Sequence, residues 1–254
     1  METNAYGPIA DLYDIYVPAT FDIPFFIGEA KKAAGEVLEL MAGTGRVSVP
    51  LLEAGVELTC VDNSAEMLAR LEAKLKDRGL QAEVYQMDIC RLDLAKRFAA
   101  IIIPFHSFAH VVSVDDQREA LRRIREHLLP GGWFICTLGN PPVRRLAVDG
   151  RLRLHNQYSL DGQRGQLLLW LLEKYDPNDP HIVDTLEFFE EYDAHGRLRA
   201  KRLMELRFRL TTRDEFEELA KAAGFVITAF YGDYAHAEFQ AESSPFMIWR
   251  LGIA

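Results

Sequence analysis

Val37-Leu38-Glu39-Leu40-Met41-Ala42-Gly43-Thr44-Gly45-Arg46 decides the fold of this 254-residue chain. The apolar run through Leu40 predicts a buried parallel strand with an acid near its end. Gly43 and Gly45 follow in a tight turn, with no Cβ to hold a ligand off the backbone. Residues 47–54 carry helix-compatible apolar spacing and stop before Gly55. Strand, glycine turn and helix open a nucleotide-binding βαβ unit. Unpaired N–H groups at the start of that helix favour a carboxylate or phosphate beside the turn. One such turn is a weak signal, and its weight depends on what recurs downstream.

The same alternation does recur. Residues 57–62 form a second strand ending in Asp62, and Asn63 with Glu66 predicts a capping box for a helix over 65–77, closed by Gly79. Residues 81–87 form a third strand, followed again by an acid, Asp88. Residues 98–104 are wholly apolar, as expected at the centre of a parallel sheet. A helix runs from Asp115-Asp116 to Leu129, Pro130-Gly131-Gly132 breaks it, and residues 133–138 are a fifth strand. Strands alternating with helices predict a doubly wound α/β sheet.

The pattern changes after Pro141-Pro142. Residues 151–158, 166–175, 182–192 and 198–210 read as extended, with hairpin turns at Asp161-Gly162 and His195-Gly196. They predict an antiparallel β insertion over 141–210. Thr211 or Thr212 then caps a helix over 214–223, and residues 225–231 and 247–252 complete the sheet. The main domain therefore comprises 1–140 and 211–254, with a mostly parallel seven-stranded sheet. Upstream of the first strand, Tyr13-Asp14-Ile15-Tyr16 reads as a short helix, and residues 23–34 as a second one. The tyrosines Tyr6, Tyr13 and Tyr16 have two readings, a helix packed on the domain edge or a flap over a ligand.

An apolar content of 49% supports a sizeable core, and no run of ~20 apolar residues suggests a membrane span. The formal net charge of −9 argues against a nucleic-acid surface. Met1-Glu2-Thr3-Asn4 lacks the layout of a secretory signal, and Cys60, Cys90 and Cys136 are widely spaced in apolar runs. Buried free thiols in a cytoplasmic protein are the expectation.

In an open α/β sheet, ligands bind beyond the carboxyl ends of the strands. Glu39, Asp62 and Asp88 stand there in succession. Asp62 has the placement of a carboxylate that accepts from both ribose hydroxyls. Asp88 suits the exocyclic amine of adenine, with Met87 and Ile89 flanking the ring. Glu39 suits a cationic amino group or the orientation of the glycine turn. The alternative for Asp62 and Asp88 is to cap the helices that follow.

These pieces together, VLELMAGTGR, VDNSAEML, QMDIC, IIIPFHSFAHV and HLLPGGWFI, resemble a class I S-adenosylmethionine-dependent methyltransferase over residues 37–138. The tyrosine-rich start and the insertion resemble the small-molecule branch, which includes sugar N,N-dimethyltransferases and glycine N-methyltransferase-like enzymes. One position departs from the family: Met41 stands where the first glycine of acid-x-Gly-x-Gly-x-Gly belongs. The resemblance implies S-adenosyl-L-methionine as cofactor and a Rossmann-like fold. It places Met41, Ala42, Gly43 and Gly45 against the methionine moiety, Asp62, Asn63 and Met67 around the adenosine, and Asp88 and Ile89 at the adenine. It also puts Pro104, Phe105 and His106 at the sulfonium and acceptor, with Tyr13 and Tyr16 closing over the amino-acid end.

A small-molecule acceptor methylated at nitrogen is the leading reading, with no nucleic acid or membrane partner and a homodimer left open. His106 and His110 are the candidate bases, since imidazole titrates near neutrality. The basic run Arg197, Arg199, Lys201, Arg202, Arg207, Arg209 and Arg213 is either a solvated face or a guide for an anionic acceptor. Trp170, Phe188 and Phe189 pack the insertion or line an acceptor pocket. Two other functions compete: a nicotinamide-dependent oxidoreductase, because Gly43-Thr44-Gly45-Arg46-Val47-Ser48 is close to Gly-x-Gly-x-x-Gly, and a non-catalytic binding module.

Overall fold

The computed structural model of the protein describes residues 6–160 and 165–253. Helices α1 (Tyr13–Tyr16) and α2 (Ile23–Ala30) precede β1 (Val37–Leu40). There follow α3 (Ser48–Glu53), β2 (Leu58–Asp62), α4 (Ala65–Arg78), β3 (Glu83–Gln86), β4 (Phe98–Ile103), α5 (Val114–Glu126) and β5 (Leu128–Gly139). The short α6 (Pro141–Arg144) leads into β6 (Arg153–Leu160), β7 (Gly165–Tyr175), β8 (Ile182–Asp193) and β9 (Leu198–Arg209). Helix α7 (Arg213–Ala222), β10 (Phe225–Tyr231) and β11 (Phe246–Ile253) end the chain.

The main sheet has seven strands in the order β10-β11-β5-β4-β1-β2-β3. All neighbours run parallel except β11, which is antiparallel to β5 and to β10. Strand alternation builds a core on each face. Leu38, Leu40, Ile101 and Ile103 pack with Leu121 and Ile124 of α5 and Phe216 of α7. Val37, Ala100 and Ile102 pack on the other side with Phe26 of α2, Leu51 of α3 and Leu71 of α4. Both faces of β4 are thus covered, which is why its sequence carries no polar alternation.

The elements agree with the sequence reading except at specific junctions. Ser64, not Asn63, caps α4: its hydroxyl accepts from the Met67 N–H at 3.3 Å. Glu66 accepts a hydrogen bond from the Ser64 hydroxyl at 3.1 Å instead of reaching back to the backbone. For α7 the cap is Thr212, in a full capping box with Glu215. Strand β3 is shorter than predicted because it is the exposed edge. Strand β5 starts earlier, at Leu128, because Gly131 adopts φ +76° and Gly132 lies where a Cβ would come 2.8 Å from the Leu129 carbonyl. The resulting irregularity is absorbed in the pairing with β4.

Strands β6 to β9 form a separate four-stranded antiparallel sheet. Gly196, at φ +73°, turns the chain between β8 and β9; the predicted Asp161-Gly162 turn lies outside the described residues. One face of this sheet, with Leu167, Leu169, Phe189, Met204 and Leu206, packs against Ile9 and Leu12 of the N-terminal segment. Phe189 is therefore core, while Trp170 donates its indole N–H to Glu190 at 3.1 Å. The basic run is largely paired with acids: Arg202 binds Asp11 and Glu191, Lys201 binds Glu190, and Arg209 binds Asp179 at 3.0 Å.

Candidate active site at the carboxyl edge of the sheet

A cavity of about 1240 Å³ lies between the carboxyl ends of the parallel strands and the inner face of the second sheet. A drug-sized ligand site typically needs about 300–1,000 Å³, so this volume suits two molecules side by side. One end is walled by Met41, Gly43, Asp62, Asn63, Met67, Met87, Asp88 and Ile89. The other is walled by side chains of β7, β8 and β9, with Arg144 of α6. Tyr6, Tyr13, Tyr16, Phe105, His106 and His110 stand between them.

Asp62 is the hub of the first end. Its Oδ2 accepts the Gly43 N–H at 2.8 Å and its Oδ1 accepts the Ser64 N–H at 2.9 Å. The carboxylate therefore ties the end of β2 to the glycine turn while still facing the cavity. Burial raises its pKa, and the backbone donors Ser64, Gly43 and Asn63 oppose that shift. Asp62 does not cap α4. Asp88 does cap the single 3-10 turn at Ile89–Arg91, through the Cys90 N–H at 2.8 Å, and also lines the cavity.

Met41 explains how the chain manages without the first glycine. Its φ is +58°, so a methionine holds the left-handed backbone that a glycine would adopt at lower cost. Phe105 and His106, at the end of β4, are left-handed too, at φ +54° and +64°. Of the four non-glycine residues with positive φ among the described residues, these three line the cavity, which is where backbone strain tends to be retained.

Four predicted site residues do not reach the cavity wall. Glu39 is 1% exposed and accepts the Ser48 hydroxyl at 2.7 Å, so it braces the start of α3 from inside. Burial pushes its carboxyl up to about 8, with the Ser48 bond and Arg46 acting the other way. Ala42 faces the core beneath the sheet. Gly45, at φ +83°, makes room for α4: a Cβ there would lie 2.3 Å from Leu71 Cδ1. Pro104 is buried behind the loop, where its carbonyl accepts the Ser107 N–H.

His106 and His110 are neutral over the physiological range. Burial, with Arg144 next in size, lowers His106 to about 4, and burial lowers His110 to about 4. His106 stacks on Phe246 at 5.1 Å, and its Nδ1 is buried without a hydrogen-bond partner among the described residues. Tyr6 Oη and His110 Nε2 are 3.1 Å apart. The tyrosines pack on the second sheet and line the cavity. Thr44 of the glycine turn donates to Asp14 at 2.7 Å, which anchors α1 to the turn.

The sequence did not point to Arg144, Glu173 or Glu187, which line the far end. Arg144 forks onto Glu173 in a bidentate pair. Glu187 has no such partner among the described residues. Period-two alternation along β8 was the available signal: it puts Glu187 on the same side as Thr185 and Phe189, the inward side. Cys60 and Cys136 are buried, whereas Cys90 is half-buried on the cavity wall, and all three are free thiols. Among the described residues, no helix is long and apolar enough to cross a membrane, and no group of His, Cys, Asp and Glu is placed to hold a metal.

Comparison with known proteins agrees with this geometry. Residues 37–132 match the family described as "Methyltransferase domain". The glycine/sarcosine N-methyltransferase of Halorhodospira halochloris is 38% identical over 133 residues, covering 51% of this chain and half of that protein's length. Its counterpart from Parasynechococcus marenigrum is 35% identical over 213 residues, covering 83% of this chain and 70% of that protein. The solved CcbJ methyltransferase of Streptomyces caelestis superposes with a TM-score of 0.80 at 26% identity, with both chains fully covered. The nicotinamide reading finds no support in these matches. The chain belongs to the class I S-adenosylmethionine-dependent methyltransferases.

Proposed function

We propose that this protein methylates a nitrogen of a small-molecule amine, with the adenosyl cofactor at the main sheet and the acceptor under the second sheet. The observation that carries this is the single cavity joining Asp62 at one end to Glu173, Thr185 and Glu187 on the inner face of β7 and β8 at the other. Its residues fit the cofactor. Asp62 has both oxygens oriented by backbone donors and still borders the cavity, as a ribose ligand must. Asn63 and Met67 flank it, and Met87, Asp88 and Ile89 form an apolar slot with one acid, suited to adenine. Met41 and Gly43 offer backbone to the methionine end. In this reading Glu39, Ala42, Gly45 and Pro104 support the turn and the loop from behind.

When bound, the cofactor supplies a methyl on a sulfonium whose departure leaves a neutral thioether, so the leaving group needs no acid. The protein's part is alignment and exclusion of water. Tyr6, Tyr13 and Tyr16 close the cavity from the N-terminal side. His106, neutral and with an unfilled Nδ1, is placed to accept a hydrogen bond from the acceptor; His110 is placed to hold the Tyr6 hydroxyl. Residues 141–210 act as the acceptor-binding unit. Nitrogen as the acceptor atom is supported by the relatives named for glycine and sarcosine N-methylation. A cytoplasmic setting fits three free thiols.

The test is transfer of a labelled methyl from S-adenosylmethionine to panels of small amines, phenols and carboxylic acids, with glycine and sarcosine among the amines. Label is expected on amines. Transfer confined to phenols or acids would contradict nitrogen as the acceptor, and cofactor binding without any transfer would favour the non-catalytic module.

A further inference from the structure

Among the described residues, Glu187 is an acid on the inner face of the second sheet that forms no salt bridge. It lies at the middle of β8, opposite Leu171 of β7 and Met204 of β9. Its face-mate across the ladder, Glu173, is neutralised by Arg144. Glu187 Oε2 is buried with no hydrogen-bond partner among the described residues, yet the side chain borders the cavity. A buried carboxylate in that state is costly, and it persists where a ligand completes it.

Its surroundings say what the ligand carries. The negative charge of Glu187 reaches the hydroxyls of Tyr6, Tyr13 and Tyr16. Those three rings stand edge to face, with centroids 5.9 Å apart for Tyr6 and Tyr13 and 5.4 Å apart for Tyr13 and Tyr16. Tyr6 and Tyr13 line the same cavity as Asp62 and Glu187. A carboxylate beside aromatic rings is the recognition chemistry of an organic ammonium ion.

Resting on the function proposed above, we propose that Glu187, with Tyr6, Tyr13 and Tyr16, receives the ammonium group of the acceptor and takes the proton that its nitrogen must shed. In that step an N–H bond breaks, an O–H bond forms on Glu187, and the electron pair stays on nitrogen. The nitrogen then bonds the methyl as the methyl–sulfur bond breaks, its pair remaining on sulfur, and Glu187 later returns its proton to water.

The acid–base properties agree. Burial first, and the neighbouring Glu173 second, push the Glu187 carboxyl up to about 7 against the opposing pull of Arg144. The tyrosines facing it stay protonated from pH 6 to 8.5. Tyr6, Tyr13, Tyr16 and Tyr158 are raised above 10 by burial, and Glu173 is held in its pair with Arg144. His106 and His110, near 4, are too weakly basic to hold the proton.

The probe is tetramethylammonium, a permanent cation that cannot be methylated at nitrogen, titrated calorimetrically into the protein loaded with S-adenosylhomocysteine. Wild type should bind it about tenfold more tightly at pH 8.5 than at pH 6, following ionisation of one carboxyl near 7. Glu187→Gln should weaken binding at pH 8.5 at least tenfold and abolish the pH dependence, and Glu187→Asp should restore part of both. Tert-butanol, bulky but uncharged, should show neither effect. A pH-independent affinity in wild type, equal affinity in Glu187→Gln with S-adenosylhomocysteine binding intact, or no binding of the cation at all would overturn the proposal. Failure of wild type to bind S-adenosylhomocysteine would instead remove the functional reading beneath it, and the proposal with it.

Discussion

Arg46→Ala should destabilise the protein by about 3–5 kcal/mol, the cost of stranding a buried charge. Arg46 sits one residue past the glycine turn. It forks onto Asp22 with two bonds of 2.6 Å and donates to the Ala19 carbonyl at 2.8 Å. Asp22 is fully buried, and Arg46 is 12% exposed. The guanidinium also lies 4.4 Å from the centre of the Phe105 ring. One side chain thus joins the N-terminal segment, the glycine turn and the loop after β4, all of which border the cavity. Alanine removes three hydrogen bonds and leaves the Asp22 carboxylate in a dry site. For a total stability of about 5–15 kcal/mol the loss is large, and for a chain of this size it should lower Tm by about 10 °C. Replacing both partners, as Arg46→Met with Asp22→Leu, should recover most of it, since an apolar pair leaves no orphaned charge. Thermal or urea unfolding measures both. A loss under about 1 kcal/mol for Arg46→Ala would mean that the pair does not hold these segments.

Glu39→Gln should leave stability nearly unchanged at pH 5 and raise it at pH 8, by an amount on the order of 3–4 kcal/mol. The sign follows from the direction of the shift. Unfolded, the carboxyl titrates near its ordinary value of 4.5; folded, it holds its proton up to about 8. Below 4.5 both states are protonated and the residue costs nothing. Between 4.5 and 8 the unfolded chain releases a proton that the folded chain keeps, so stability falls as pH rises. Glutamine carries no such proton and still accepts the Ser48 hydroxyl through its amide oxygen. The check is the difference in unfolding free energy between wild type and variant, without cofactor, across pH 5 to 8. A difference that stays flat would show that Glu39 ionises as freely in the fold as in the open chain.

The contrast between these residues shows what the sequence displays and what it hides. The order of strands and helices was legible because each strand keeps its period and each helix its punctuation. Asp62 and Asp88 were legible as cavity-lining positions because the carboxyl ends of strands in such a sheet border its crevice. Glu39 occupies the same kind of position, yet its side chain turns back to Ser48, and pattern alone does not reveal which way a side chain points. Gly45 and Gly43 look alike in sequence, but Gly45 serves the packing of Leu71 while Gly43 borders the cavity. Ser64 and Asn63 are both good caps one position apart, and only the turn after β2 chooses between them. Arg144 was hidden because Pro141-Pro142 reads as a break, whereas the two prolines fit the first turn of α6, where no N–H is needed. Glu187 lies in an acid-rich run that looks like a solvated edge until β8 is seen covered by the tyrosines.

The central claim is that the cofactor's nucleoside is held by the carboxylates at the ends of β2 and β3. A crystal structure with S-adenosylhomocysteine measures this directly. The ribose hydroxyls should lie within hydrogen-bond distance of Asp62, and the adenine between Met87 and Ile89 beside Asp88. A nucleoside bound elsewhere, with Asp62 touching only Gly43 and Ser64, would contradict it.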